Sequence, residues 1–342
     1  MRSKQGVTRA VRRAVALSVV GVLAVGLAAC GGNGTADKAA GGKDKLRVGV
    51  LPISTTLAFY TALDKGYFAE ENIEPTVNTL QGGPDLFNAL EGKSLDVIYS
   101  GYTSFFVGVS RGFKFNIVAP NDRESSKTKP DGSATEGVNG ILVRTDSGIK
   151  SAADLKGKSV AVNALNSFVQ LYTMSWLDVK GGDSKAAKYV PVPYPGMGDA
   201  LRGKRVDAVN LSEPFLSIEL AKGGVEEIGT PLGDTKPGLQ VGGWSARADV
   251  AKANPDLFAR FAKALRRGAQ DANSMSGDER AGILAKYLKA DPKLYAGARW
   301  WNYATGPLDV ALLQEEADRA QKYGLMKDKI DLEKYVFETA RK

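Results

Sequence analysis

The sequence predicts an α/β fold of parallel βαβ units with a helical tail, and three observations carry that expectation. Short β-prone runs alternate with segments of helical apolar spacing from Leu46 to Ala119. The alternation restarts after a polar stretch from Asn121 to Gly137. From Asn254 onward only helical spacing remains. Strands that alternate with helices imply parallel pairing, with turns at the strand C-termini. A chain of 342 residues is long enough for about two domains of ordinary size.

Leu46–Leu51 is a β-prone run closed by Pro52. Phe59, Tyr60, Leu63, Tyr67 and Phe68 follow at helical spacing, with Gly66 placed to break and restart the helix. Thr76–Leu80 reads as a strand. Gly82-Gly83-Pro84 opens a helix with Pro in its tolerated first turn, and Leu86, Phe87 and Leu90 are its apolar face. Leu95–Tyr99 is the next strand, a helix through Phe105, Phe106 and Val109 ends by Gly112, and Phe115–Ala119 is a fourth strand. The polar stretch reads as a loop. Beyond it come strands at Gly140–Arg144, Ser159–Val162, Tyr189–Val192, Val206–Leu211, Val225–Ile228 and Gln240–Ala246. Ser151 to Asp154 resembles a capping box, and Phe168–Leu177 is a helix. In the tail, Leu257, Phe261 and Leu265, then Ile283, Leu284 and Leu288, then Leu308, Leu312 and Leu313 mark three helices, the last stopping near Tyr323-Gly324. Trp300-Trp301 reads as packing.

Composition excludes several chemistries. With no His there is no Ser-His-Asp or Cys-His centre, no imidazole metal ligand and no histidine switch. A single Cys allows no internal disulfide and no zinc ribbon. No cofactor and no metal site is expected. The formal net charge of +8 is inflated by residues 1–29, which hold five of the 46 basic residues and no acid. The remainder carries 41 basic against 38 acidic residues, a balance that gives no reason to expect nucleic acid as a partner.

Residues 1–29 combine a basic stretch with a 16-residue uncharged run, Ala14–Ala29. That is short for a membrane span, which needs roughly 20 residues; a secretory signal is expected over a short membrane anchor. Leu27-Ala28-Ala29-Cys30 resembles the lipobox of bacterial lipoproteins, which implies lipid attachment at Cys30. Arg12-Arg13 leaves a twin-arginine route open beside the general one. Residues 30–45 are Gly-rich and lack large apolar side chains over most of their length, and read as a flexible tether. The expected location is the outer face of the cell membrane.

Five motifs occur in order along the body. They are Lys65-Gly66-Tyr67-Phe68-Ala69-Glu70-Glu71-Asn72-Ile73, Leu95-Asp96-Val97-Ile98-Tyr99-Ser100-Gly101, Asp146-Ser147-Gly148-Ile149 with Asp154 to Val162, Gly203 to Val209, and Glu213-Pro214-Phe215. Together they resemble the substrate-binding proteins of the nitrate/sulfonate/taurine and thiamine-precursor group, the NMT1/THI5-like family. The resemblance runs from about Leu46 to the C-terminus. It implies a two-lobed periplasmic-binding-protein fold of type II, with 46–140 and 245–342 as one lobe and 141–244 as the other. Gly140, Gly242 and Gly243 suit hinges at the crossings. It also implies a monomeric, non-catalytic receptor that captures a small organic nutrient, sulfonate-like or a nitrogen heterocycle. Lobe closure then delivers that nutrient to an ABC permease with its cytoplasmic ATPase. A ligand-presenting sensor module, or an enzyme on the same fold, are the alternatives.

In open parallel sheets ligands lie at the strand C-termini. Those ends carry Ser54, Thr55, Gln81, Gly82, Ser100, Tyr102, Thr103, Asn163, Asn166, Ser167, Phe168, Tyr194 and Glu213. Helix N-termini among them favour anions, and Glu213 offers a carboxylate to a donor. Phe59, Tyr60, Tyr102, Phe168, Tyr194 and Trp244 are candidates to wall an apolar or planar ligand. Where relatives often carry a Gly-Ser-rich turn, this chain has Asn163 to Phe168.

Overall fold

The computed structural model describes residues 42–130 and 134–342. The signal, Cys30 and most of the tether lie outside the described residues. The first sheet draws on strands β1 (Asp44–Val50), β2 (Ile73–Thr79), β3 (Val97–Gly101) and β4 (Phe115–Arg123). Between them run helices α1 (Leu57–Asp64), α2 (Tyr67–Glu70), α3 (Gly83–Glu91) and α4 (Tyr102–Ser110). A short hairpin, β5 (Lys127–Thr128) and β6 (Ala134–Thr135), follows inside the stretch expected to be loop.

The second sheet holds β7 (Asn139–Arg144), β8 (Ser159–Val162), β9 (Lys188–Pro191), β10 (Ala208–Ser212) and β11 (Val225–Gly229). Its helices are α5 (Phe168–Val179), α6 (Tyr194–Arg202), α7 (Phe215–Ala221) and α8 (Pro231–Thr235). The chain returns to the first sheet through β12 (Gln240–Arg247), then runs through α9 (Ala248–Ala253), α10 (Pro255–Ser274), α11 (Gly277–Leu288), β13 (Asn302–Tyr303) and α12 (Val310–Lys322).

The strand order is β13-β4-β12-β3-β1-β2 in one sheet and β11-β7-β10-β8-β9 in the other. Within each, the βα-connected neighbours are parallel, as expected: β1 with β2 and β3, β8 with β9 and β10. The exceptions are β7 and β12, which run antiparallel to their neighbours. Each is the strand by which the chain enters a sheet from the other lobe, without a crossover helix to turn it round. Strand β13 is a second departure: two residues of the helical tail pair with Arg123 and Asp122 of β4.

The chain crosses between Arg123 and Asn139 and back between Gly229 and Gln240. Both crossings lie N-terminal to the expected boundaries at 140/141 and 244/245. Gly140 sits inside β7, and Gly242 and Gly243 inside β12. Close approach, rather than hinge freedom, accounts for their lack of a side chain. A Cβ on Gly140 would meet the Glu227 carboxylate at 2.6 Å, and one on Gly242 would meet the Tyr99 hydroxyl at 2.5 Å.

Local chemistry explains the helix ends. Gly66 has φ of 77°, the left-handed region that ends α1 and permits α2 to restart. Ser167 caps α5 by accepting from the Gln170 N–H, and Ser276 with Glu279 forms a full capping box on α11. Asp154 does not cap an α-helix; it accepts from Lys150 and Ser151 ahead of a single 3-10 turn, Ala153–Leu155. The apolar face of α10 packs on α1, where Gly268 lets the helices approach against Ala58 and Ala62. Among the described residues no helix is long and apolar enough to cross a membrane.

Candidate functional site

Because β4 runs antiparallel to β12, and β12 antiparallel to β3, the C-terminal ends of β1, β3 and β4 lie on one edge of the first sheet. The ends of β8 and β10 share an edge of the second. The two edges meet. The Ser54 N–H and hydroxyl both donate to the Glu213 carbonyl at 3.0 Å. The Ser104 hydroxyl donates to the Asn166 carbonyl at 3.1 Å. The Phe168 ring lies where a Cβ on Gly101 would be 2.6 Å from it, and Ala164 lies beside Gly82. This seam collects most of the residues expected at the strand ends.

On the first-lobe side, Ser54 and Thr55 lie in a 3-10 turn, Ser54–Thr56, that follows β1 after three residues. Ser54 also accepts from the Trp301 indole at 3.1 Å, and its carbonyl accepts from Tyr303 at 2.7 Å. The Ser100 hydroxyl donates to the Gly101 carbonyl. Thr103 is buried in the first turn of α4. Gly82 is buried in extended backbone ahead of α3, whereas Gln81 is exposed.

On the second-lobe side, Asn163 accepts from the Ser167 hydroxyl at 2.9 Å. Asn166 is half-buried in the left-handed region, with φ of 59°. Tyr194 opens α6, shares a 3.2 Å hydrogen bond with Ser212, and stacks on Phe215 at 5.6 Å.

Two expected wall residues are not at the seam. Phe59 and Trp244 are fully buried and pack on one another at 5.1 Å, with Phe68, Tyr99 and Phe261 around them. Helical spacing places Phe59 on the inward face of α1, and alternation in β12 turns Trp244 under the sheet; they are core.

Glu213 is fully buried at the end of β10, and burial pushes its carboxyl up to about 7 against the donors that surround it. Those donors are the Ser217 hydroxyl (2.7 Å), the Ser217 N–H (3.3 Å) and the Arg299 N–H (3.2 Å). The Arg299 guanidinium in turn pairs with both oxygens of Glu227, at 3.0 and 2.7 Å. Sequence reading missed Arg299 and Glu227, since no local pattern joins residues 72 apart.

It also missed Asp122. This residue is the last but one of β4 and is 1 % exposed. Burial pushes its carboxyl up to about 7, opposed by hydrogen bonds from Asn121 and Tyr99. The signal was present: Asn121-Asp122 follows an apolar strand, the position that drew attention elsewhere.

Beside the seam lies a cavity of about 470 Å³ walled by both lobes. Pro52 and Thr79 line it from the first lobe, Pro214 and Phe215 from the second, and Tyr287 and Leu294 from the tail. Tyr287 stacks on Tyr60 at 4.6 Å, so two stacked aromatic pairs border this space. Its volume and mainly apolar walls are those of a small-molecule pocket.

Comparison with known proteins agrees with this architecture. The family described as NMT1/THI5 like matches residues 132–275. A Bacillus subtilis (strain 168) protein named putative aliphatic sulfonates-binding protein is 27% identical over 245 residues, covering 69% of this chain and 68% of that one. The periplasmic aliphatic sulphonate binding protein SsuA of Escherichia coli superposes with a TM-score of 0.68 at 20% identity, over 86% of this chain and 98% of that one. The alkanesulfonate-binding protein SsuA of Xanthomonas axonopodis pv. citri, solved with MOPS bound, gives 0.70 at 18% identity, over 86% and 98%. These likenesses show the type II periplasmic-binding-protein fold, two α/β lobes on a shared seam. With that fold, the matched segment at residues 132–275 and the five ordered motifs, this chain is similar to the NMT1/THI5-like binding proteins.

Proposed function

We propose that the protein is the extracytoplasmic solute-binding component of an ABC importer, and that its ligand is a small organic anion of the aliphatic sulfonate type. The observation that carries this reading is the seam itself. Strand ends and helix N-termini of both lobes face each other there, and a cavity of about 470 Å³ adjoins them. Backbone N–H groups at helix starts favour an anionic head, and the apolar cavity suits a hydrocarbon body. The relatives cited above carry the names of sulfonate-binding proteins, one of them as putative, which supports the same class here.

Capture requires no chemistry at the ligand. A ligand that bridges both edges favours the closed arrangement by its differential affinity for it, and the closed form is the one a permease would recognise. Ser100, Thr103, Asn163 and Ser167 are the polar groups at these edges that we assign to the ligand, with Phe168 and Tyr194 as its aromatic boundary. The reading extends to a lipid anchor at Cys30. One acyl chain binds membranes only marginally, so stable anchoring takes more than one; Cys30→Ser should release the protein from the membrane fraction.

A thermal-shift screen tests the ligand class. A ligand at 100 times its Kd stabilises a protein by about 2.7 kcal/mol. Aliphatic sulfonates should raise the melting temperature where inorganic sulfate does not. A shift produced only by nitrogen heterocycles would replace sulfonate as the class, and no shift with any series would overturn solute binding.

A further inference from the structure

A second cavity, of about 430 Å³, is walled by the second lobe and by both interlobe crossings. Lys129 and Glu136 stand on the first crossing, Thr230 and Asp234 on the second. Lys150, Trp176, Lys180 and Glu227 close the space from the body of the lobe. None of the residues assigned above to the ligand at the seam lines it.

The acids around this space are already served. Asp234 Oδ1 accepts from Lys180 (2.9 Å) and the Ala134 N–H (3.0 Å), and Oδ2 accepts from the Trp176 indole (3.0 Å) and the Thr230 N–H (3.2 Å). Those donors fill the capacity of a carboxylate, about four lone-pair positions. Glu227 holds the Arg299 guanidinium with both oxygens, and Glu136 pairs with Lys127 at 2.6 Å. Donors, by contrast, are in surplus. The Lys150 ammonium meets Glu226 at 2.5 Å and keeps further N–H groups for another acceptor. Among the described residues Lys129 is left without a counter-ion. Thr230 is 4 % exposed, and its hydroxyl has no partner. A buried hydroxyl in that state carries the full cost of its desolvation, which an acceptor on a ligand relieves.

Volume and spacing decide the kind of anion. About 430 Å³ lies in the range of pockets for organic molecules, roughly 300–1,000 Å³. It is far larger than an inorganic oxyanion, which displaces a few waters of roughly 30 Å³ each. The lysines stand on separate elements: Lys129 on the first crossing, Lys150 in the loop after β7, Lys180 at the end of α5. One acid group does not serve all three. We propose that this cavity is a second ligand site, distinct from the seam, for a small organic molecule bearing two or more carboxylates. Lys129, Lys150 and Lys180 take the carboxylates through charge-assisted hydrogen bonds, and the Thr230 hydroxyl donates to one of their oxygens. Because the walls join both crossings to the second lobe, an occupant ties together the segments that bend when the lobes part.

The test is calorimetric titration of the full-length chain with succinate and citrate, and with inorganic sulfate at matched ionic strength. At least one of the two polyacids should bind at one site about tenfold or more tighter than sulfate. Lys129→Ala combined with Lys150→Ala should weaken that binding at least about tenfold. Both side chains are exposed, so circular dichroism should show an intact fold. If it does not, Thr230→Val, which keeps the shape and removes only the unpartnered hydroxyl, should still weaken the polyacid about threefold. Gly101→Ala separates this site from the seam: it lies outside the cavity and should bind the polyacid within about twofold of wild type. Binding lost in Gly101→Ala but kept in the lysine variant would place the polyacid at the seam and overturn the second site. Binding no tighter than that of sulfate would show an adventitious ion only, and no binding of either polyacid would likewise overturn it. Each of these results leaves solute capture at the seam standing.

Discussion

The N–H and hydroxyl of Ser54 both donate to one acceptor, the carbonyl oxygen of Glu213, each at 3.0 Å. The two residues are 159 apart in sequence and close the ends of β1 and β10. A carbonyl with two lone pairs satisfies both donors, and the contact joins the lobes at backbone level. Trp301 and Tyr303, from the tail, fix Ser54 in place.

Ser54→Ala removes one of these donors and the acceptor of the Trp301 indole. The ligand-free protein should lose about 1–2 kcal/mol, the scale of a buried hydrogen bond lost together with an orphaned donor. Chemical denaturation should report this as a lower midpoint with an unchanged m-value. An unchanged midpoint would mean that the backbone N–H alone holds the seam.

Glu213→Gln keeps the shape of the side chain but turns one acceptor oxygen into an NH₂ facing donors from Ser217 and Arg299. We expect a loss of about 1–3 kcal/mol in the ligand-free protein, from a buried donor left without an acceptor. Ligand affinity should change less than about threefold, because no oxygen of Glu213 is free. A tenfold loss of affinity with an unchanged melting temperature would show instead that Glu213 meets the ligand.

Asp122 links stability to pH. Its folded carboxyl is raised to about 7 from an ordinary 3.8, so the folded state holds this proton after the unfolded chain has lost it. Between about pH 4 and 7 the folded state binds more protons, and stability falls as pH rises, by at most about 1.4 kcal/mol per pH unit from this group. The groups that sense its charge are the Tyr99, Tyr102 and Tyr303 phenols, with Arg123 opposing it at Tyr102. Asp122→Asn removes the titration. The ligand-free variant should gain on the wild type as pH rises from 4 to 7, then run parallel above that. Glu213, raised to a similar value, is present in both proteins and cancels. A difference that does not vary with pH would contradict the raised carboxyl.

Much of the fold was legible because its signals are local. Strands such as Ser159–Val162 and helices such as α10, which starts at Pro255, follow from apolar spacing and end chemistry within a few residues. The antiparallel entry of β7 and β12 was not legible, since strand direction depends on which lobe the chain has just left. Strand β13 was hidden for a related reason: two residues carry no period and pair only because β4 offers an edge. At the site, position along the chain found Ser54, Asn163 and Glu213, all at strand ends. It could not tell a satisfied carboxylate from an unsatisfied one. Glu213 looked sharper because of its motif, while Asp122, in a stretch taken for loop, kept the free oxygen. Aromatic side chains failed the same way: nothing local separates Phe168, against Gly101 at the seam, from Phe59, deep in the core.

The central claim is that a ligand is captured by closure at the seam, and Gly101→Ala tests it most directly. Gly101 has ordinary backbone geometry, φ −60° and ψ 140°, so alanine adds no strain there. Its Cβ would sit 2.6 Å from Cδ1 and 3.2 Å from Cβ of Phe168, on the opposite lobe. The whole Phe168 side chain must then retreat, and the lobes with it. Calorimetric titration of wild type and variant, with the ligand that most raises the melting temperature, should give a single site whose affinity falls at least about tenfold in Gly101→Ala, or about 1.4 kcal/mol. Equal affinity in the two proteins would place the ligand elsewhere and contradict capture at the seam.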